Sequence, residues 1–151
     1  MSTKQHLMTL IQSARWAEAR EAGRELCNMH DNDAETWHLL GAIHGQLGDW
    51  AEAERCSEKA VTLAPGVSAA HFNLGVARLR QRKPGAAANF RKTLSLQPDH
   101  PAARDLLKEA CLAEGMQLAE SGNPQAAGCN LSATDIDRIR VGNPPFDSSF
   151  A

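Results

Sequence analysis

The sequence predicts an all-α protein built from helical hairpins stacked in chain order. Two observations carry that prediction: an internal repeat with a period of 34 residues, and helical patterning inside each copy. Trp16-Ala17-Glu18-Ala19 recurs as Trp50-Ala51-Glu52-Ala53, and Leu40-Gly41 recurs as Leu74-Gly75, both 34 residues on. Ala53, Ser57 and Pro65 recur as Ala86, Phe90 and Pro98, 33 residues on, so the third copy has lost one residue around Arg82 to Gly85. A period in this range marks a stacked repeat, in which each unit is too small to bury its apolar face alone.

The first unit, residues 1–33, is a degraded copy. Its opening helix, about Thr3 to Ala14, carries Leu7, Leu10 and Ile11 on one face, and its second helix runs from Trp16 to Met29. The second unit, residues 34–66, is the clearest. Leu40, Ile43 and Leu47 form one stripe of its first helix, while Gly41 keeps that helix thin where the second one crosses it. Gly48-Asp49 breaks the pattern, Asp49 caps a helix from Trp50 to Leu63, and Pro65-Gly66 ends it with glycine in a left-handed turn. In the third unit, residues 67–100, the helices are His71 to Lys83 and Pro84 to Leu96, with Pro84 accepted in the first turn. A capping helix over 101–121 covers the open face of that unit, followed by a short helix over 124–131. Residues 132–151, broken by Gly142-Asn143-Pro144-Pro145, leave the pattern and read as an extended or flexible tail.

Composition narrows the function. With 42% hydrophobic and 23% charged residues, few aromatics and no Tyr, 151 residues suit one soluble helical domain, here residues 1–131. A net charge of −2 gives no strong attraction to nucleic acid or to an anionic membrane. The four cysteines, at 27, 56, 111 and 129, lack a CxxC or other metal spacing and read as structural thiols of a reducing compartment. The N-terminus carries neither a long apolar core nor a small-residue cleavage site, and no stretch reaches the roughly 18 apolar residues a membrane span requires. These features suggest a cytoplasmic protein.

Trp37, Leu40, Gly41, His44, Ala53, Ser57 and Pro65 stand at the marked places of the pattern W-x2-L-G-x2-Y, A-x3-F, P, with only the Tyr and Phe places changed. Over about residues 3–131 the chain therefore resembles the tetratricopeptide repeat (TPR) family. The resemblance implies a right-handed superhelix of antiparallel helix pairs, a noncatalytic scaffold that binds a peptide segment or partner protein in a concave groove. That groove is lined by the first helix of each pair.

Carried onto this sequence, the groove-facing residues include His38, Leu39, Ala42 and Gln46 in the second unit, and Phe72, Asn73, Val76 and Arg80 in the third. Asn73 directly precedes Leu74-Gly75, where family members carry an Asn that holds the backbone of an extended peptide. An amide both donates and accepts, matching one peptide unit. The equivalent residue in the second unit is Leu39, so a ladder of Asn is broken. The Lys, Arg and Asn set with which some members grip a chaperone's C-terminal carboxylate is not assembled. Phe72 either offers an apolar groove wall with Leu39 and Val76, or packs between helices.

Other chemistry finds little support in the sequence. Arg78 to Lys83 is a basic run at a helix end, without interleaved aromatics. Lys83-Pro84-Gly85 is not a phosphate loop, His38 and His44 fall on different helix faces, and the cysteines show no catalytic constellation. No catalytic residue, metal site or cofactor is expected, and Trp16 and Trp50 read as packing between units. Two alternatives remain. The chain is an N-terminal interaction module of a larger enzyme, of methyltransferase or glycosyltransferase type, or it self-associates through its C-terminal tail.

Overall fold

The computed structural model describes residues 2–120, and among these every regular element is an α-helix. They are α1 (Thr3–Gln12), α2 (Trp16–Met29), α3 (Ala34–Gln46), α4 (Trp50–Leu63), α5 (Ser68–Arg80), α6 (Ala86–Leu96) and α7 (Pro101–Glu120). Each helix packs on the next in chain order, and α3 also touches α5 while α5 touches α7. Three antiparallel pairs and a capping helix thus form an all-α solenoid, with the first helices of successive pairs side by side. The expected short helix over 124–131 and the tail over 132–151 lie outside the described residues. Among the described residues no helix is long and apolar enough to cross a membrane.

The 34-residue period is written into the backbone. Ala14, Gly48 and Arg82 each have positive φ, at 55°, 76° and 56°. At each one the chain turns between the two helices of a pair, and the following amide reaches back five residues: Arg15 to Leu10, Asp49 to His44, Lys83 to Arg78, each at 2.9 Å. A side chain repeats as well. Trp37 Nε1 donates to the carbonyl of Asp31 at 2.8 Å, and one period later His71 Nε2 bonds the carbonyl of Pro65 at 2.7 Å. An indole or an imidazole therefore does the same task, tying the loop before a pair to its first helix.

Several local expectations are corrected. Pro84 stays outside α6, because Gly85 at φ 96° is the N-cap and its left-handed backbone cannot join the helix. The deleted residue thus falls between Lys83 and Ala86, shortening the second helix from 14 residues in α4 to 11 in α6. Gly48, not Gly66, supplies the left-handed glycine of the second unit. Leu47 is the C-cap of α3 and 40% exposed, because the helix ends before the apolar stripe reaches it. Helix α1 stops at Gln12, and α5 starts at Ser68 and ends at Arg80.

Neighbouring units are joined by apolar clusters and by polar ties. Leu7, Leu10, Ala19, Leu26 and Ile43 bury together across α1, α2 and α3, and Ala86, Ala87, Phe90, Ala103 and Ala110 join α6 to α7. Asp33 caps α3 through the Glu35 amide, accepts the Thr36 hydroxyl at 2.6 Å, and accepts Lys4 of the preceding unit at 3.2 Å. Glu54 on α4, whose side chain is 12% exposed, accepts Lys83 Nζ at 2.6 Å, Gln81 Nε2 at 2.8 Å and Arg78 Nε at 3.4 Å from the next unit. Burial works to raise its carboxyl pKa, but these three donors outweigh it and hold the group below the ordinary value.

Candidate peptide-binding groove

Side-by-side packing of α3 and α5 leaves a cavity of about 260 Å³ between them, floored by α4. Ala42 and Gln46 reach it from α3, and Phe72, Asn73 and Val76 from α5. Five of the eight residues expected to face the groove are therefore brought to one cavity. The wall that completes it was not read from the sequence: Trp50, the first residue of α4, lines it together with Gly41, Gly45 and Ala53. A β-carbon at Gly45 would touch the Trp50 ring at 3.4 Å, so the two residues share one space. Trp16, one period earlier, packs on the apolar cluster of the first unit. The signal available was the absence of a side chain at Gly45, opposite an aromatic residue at the start of the next helix.

The remaining three expected residues lie around this cavity rather than in it. His38 is half-buried, and its Nδ1 accepts the Asn73 amide Nδ2 at 3.1 Å, which links the first helices of two units. Burial lowers the His38 pKa and the nearby Glu35 charge raises it by less, so the ring stays neutral at neutral pH and Nδ1 can accept. Leu39 is half-buried and packs on the cluster containing Leu7 and Ile43. Arg80, the last residue of α5, is exposed.

Phe72 fills both roles that the sequence left open. Its ring meets Phe90 edge-on, with centroids 5.8 Å apart, and lies against the His100 ring at 4.7 Å, yet it also lines the cavity. His100 is fixed in turn by accepting the Ala103 amide at 3.0 Å at the start of α7. The capping helix thus sets the position of one groove wall. With an apolar face of Ala42, Trp50, Phe72 and Val76 and two amides, Gln46 and Asn73, the cavity can bury a small apolar group and hydrogen-bond a backbone beside it.

The opposite face of the second unit holds a second cavity, of about 390 Å³, between α2, α3 and α4. His44, Glu52 and Cys56 meet at it, with ligating atoms all within 4.8 Å of one another, although the sequence had suggested no such grouping. The signal was present in part: Glu52 and Cys56 are four apart on one helix face, but His44 comes from the neighbouring helix. Burial pushes the Cys56 thiol up to about 11, with Glu52 and Asp49 adding to it against Arg55 and Arg24, and burial with the nearby Cys56 and Asp33 pushes the Cys27 thiol, which lines the same cavity, up to about 12. Burial also lowers the His44 pKa against the pull of Asp49 and Glu52.

A profile of the family described as Tetratricopeptide repeat matches residues 34–67. Protein FlbA of Caulobacter vibrioides is 28% identical over 134 residues, covering 81% of this chain and 22% of its own length. Protein NPGR1 of Arabidopsis thaliana is 26% identical over 141 residues, covering 91% of this chain and 19% of its own. The chain thus spans about a fifth of the length of these curated relatives. Among solved structures, a Thermobaculum terrenum O-GlcNAc transferase superposes with a TM-score of 0.66 at 26% identity, over 72% of this chain and 21% of that one. The Arabidopsis OM64 TPR domain gives 0.67 at 24% identity, over 72% and 90%. The first TPR of Spaghetti (RPAP3), bound to the HSP90 peptide SRMEEVD, gives 0.69 at 19% identity, over 78% and 93%. Residues 34–67 thus match the tetratricopeptide repeat family model, and the stacked pairs with their 34-residue backbone period give the described residues the fold of tetratricopeptide repeat domains.

Proposed function

We propose that this protein is a noncatalytic scaffold that binds an extended segment of a partner protein in the trough between α3 and α5. The observation that carries the reading is the cavity shared by Ala42, Gln46, Trp50, Phe72, Asn73 and Val76. An apolar side chain of the partner enters beside Phe72 and Val76, while Asn73, steadied by His38, holds the partner's backbone. Exposed Arg80 at the end of α5 meets an acidic group further along the segment. The peptide-bound Spaghetti structure shares this fold and supports a peptide as the kind of ligand, without indicating its sequence. A cytoplasmic location belongs to the same reading and rests on the reduced, buried thiols of Cys27 and Cys56.

Selection of binders from a random-peptide library by the full chain tests the proposal. Selected peptides are expected to lose affinity for Asn73→Ala and for Val76→Glu, both at half-buried positions, while helix content is retained. Unchanged affinity in both variants would overturn it. The chain's own residues 132–151 are a competing occupant, and light scattering of the full chain against a version ending at Leu131 distinguishes that case.

A second reading is favoured by one observation. The chain covers only 19–22% of FlbA, NPGR1 and the O-GlcNAc transferase. In that reading it is the interaction module of a larger protein, an enzyme of methyltransferase or glycosyltransferase type among the candidates. A reading frame that continues beyond codon 151 into such a domain would favour it, and a natural stop codon there would exclude it.

A further inference from the structure

We propose that the cavity between α2, α3 and α4 is a site for a divalent metal ion of the zinc class, held by His44, Glu52 and Cys56. These three offer an imidazole nitrogen, a carboxylate oxygen and a sulfur within 4.8 Å of one another, the mixed donor set that zinc accepts. Donors around a tetrahedral ion stand roughly 3.3–3.8 Å apart, so the set has to close by about an ångström. Glu52 can supply that movement. It is half-buried in the first turn of α4, and its present partner is Arg55, 2.6 Å away and 69% exposed, which can return to water. Cys56 lies one turn along the same face of α4, and His44 is brought to it from α3.

A second observation points to a ligand. The His44 side chain is nine-tenths or more buried, and its Nδ1 has no hydrogen-bond partner. Such an orphaned buried group is rare in native proteins and asks for an explanation. Asp49 Oδ2 stands 3.4 Å from that nitrogen without hydrogen-bonding it, and adds its carboxylate charge beside the site. The repeat sharpens the point, because His44 occupies the place where the family pattern carries an aromatic residue. The corresponding residues one unit away are Leu10, Glu18 and Ala22 on one side and Arg78, Gly85 and Asn89 on the other. Neither neighbouring unit holds the set.

The charge around the cavity also suits a cation. Glu21 and Glu25 on α2 and Glu52 on α4 line it against the two guanidinium groups of Arg24 and Arg55. On binding, the Cys56 thiol gives its proton to water and becomes a thiolate ligand, with no change of oxidation state. Three protein ligands leave one tetrahedral position for water. None of the residues of this site lines the groove between α3 and α5, so each site can fail independently of the other.

The test is a titration of the reduced, metal-free 151-residue chain with Co²⁺ and then Zn²⁺. One equivalent of Co²⁺ is expected to raise thiolate-to-cobalt charge-transfer absorption and the d–d bands of tetrahedral cobalt, and one equivalent of Zn²⁺ to remove them. Cys56→Ser should abolish the charge-transfer band, and Glu52→Gln should weaken Co²⁺ binding by about tenfold or more. A variant combining Cys111→Ser with Cys129→Ser should keep the band. Absence of the band at one equivalent, its survival in Cys56→Ser, or its loss in the Cys111/Cys129 variant would overturn the proposal. If Cys56→Ser loses its helix content, Glu52→Gln decides, and full Co²⁺ affinity in that variant overturns the site.

Discussion

A β-carbon at Gly75 would stand 2.8 Å from Cε1 of Phe90, whose ring is completely buried. The same crossing one unit earlier joins Gly41 to Ser57, where the nearest atom is the Ser57 hydroxyl oxygen at 2.7 Å and the backbone lies no closer than 3.4 Å. A hydroxyl can rotate aside, but a packed ring cannot. Gly75→Ala is therefore expected to destabilise the protein by about 1–2 kcal/mol, since overpacking costs about 1–3 kcal/mol and the helix-propensity gain returns about 0.5–1 kcal/mol. Gly41→Ala should be close to neutral, and Gly41→Leu should destabilise by more than Gly75→Ala. Urea unfolding of the three variants measures the order, and equal midpoints would contradict this account of the crossing.

The turn within each pair requires a left-handed residue, yet only the second unit places glycine there. Ala14 and Arg82 hold φ near 55° with a β-carbon in place. A left-handed conformation costs roughly 1–2 kcal/mol for an L-residue, and the extra freedom glycine gives the unfolded chain returns part of that. Ala14→Gly and Arg82→Gly should each stabilise by about 0.5–1 kcal/mol. Thermal unfolding of the single and double variants checks this, and the effects should add because the turns lie in separate units.

The pH dependence of stability should carry the signature of Asp33. The Thr36 hydroxyl, against the opposing effect of burial, and then Lys4 hold its carboxyl below the ordinary aspartate value. A carboxylate whose folded pKa is depressed contributes stability that is complete above the unfolded value, about 3.9, and is lost as pH falls through the folded one. Asp33→Asn keeps a capping oxygen but removes the charge. The variant should be less stable by up to about 1 kcal/mol at pH 7 and should converge with the parent as pH falls through the depressed folded value. Parallel denaturation curves at pH 7 and pH 2.5 test the sign, and a constant difference at both would assign the effect to something other than the charge.

The period made the fold legible because a stack imposes the same contact on each unit, and the residues meeting at that contact stay recognisable. Leu40-Gly41 and Leu74-Gly75 announced the helix crossing, and Pro101 announced the capping helix α7. What escaped were features decided by backbone torsion or by three-dimensional proximity. Pro84 looks like a first-turn proline until Gly85 takes φ 96°, and Leu47 looks like core until α3 ends one residue before it. The groove residues on α3 and α5 could be anticipated because they share helices in register. Trp50 could not, since it enters the cavity from the second helix of its pair, nor could the meeting of His44 with Cys56 across two helices.

His38 makes the groove sensitive to acid. Its Nδ1 accepts the Asn73 amide at 3.1 Å only while that nitrogen is unprotonated, and burial keeps the ring pKa below its ordinary value of 6.5. Above that value the ring is neutral in both the folded and the unfolded chain, so the contact is fully present and partner affinity should be flat with pH. As pH falls through the depressed folded pKa, Nδ1 gains a proton and becomes a donor facing the donor amide of Asn73. The amide must then turn away from the orientation in which it serves a peptide backbone. Loss of one such hydrogen bond costs about 0.5–1.5 kcal/mol, or roughly two- to tenfold in affinity. Affinity for a groove-binding peptide should therefore fall by that factor as pH drops through the depressed His38 value, and Asn73→Ala should show the loss already at pH 7 with little further change. Isothermal titration at pH 7.5, 6.5 and 5.5 distinguishes the cases: a parent and an Asn73→Ala variant that lose affinity in parallel would show that the His38–Asn73 pair does not orient the ligand.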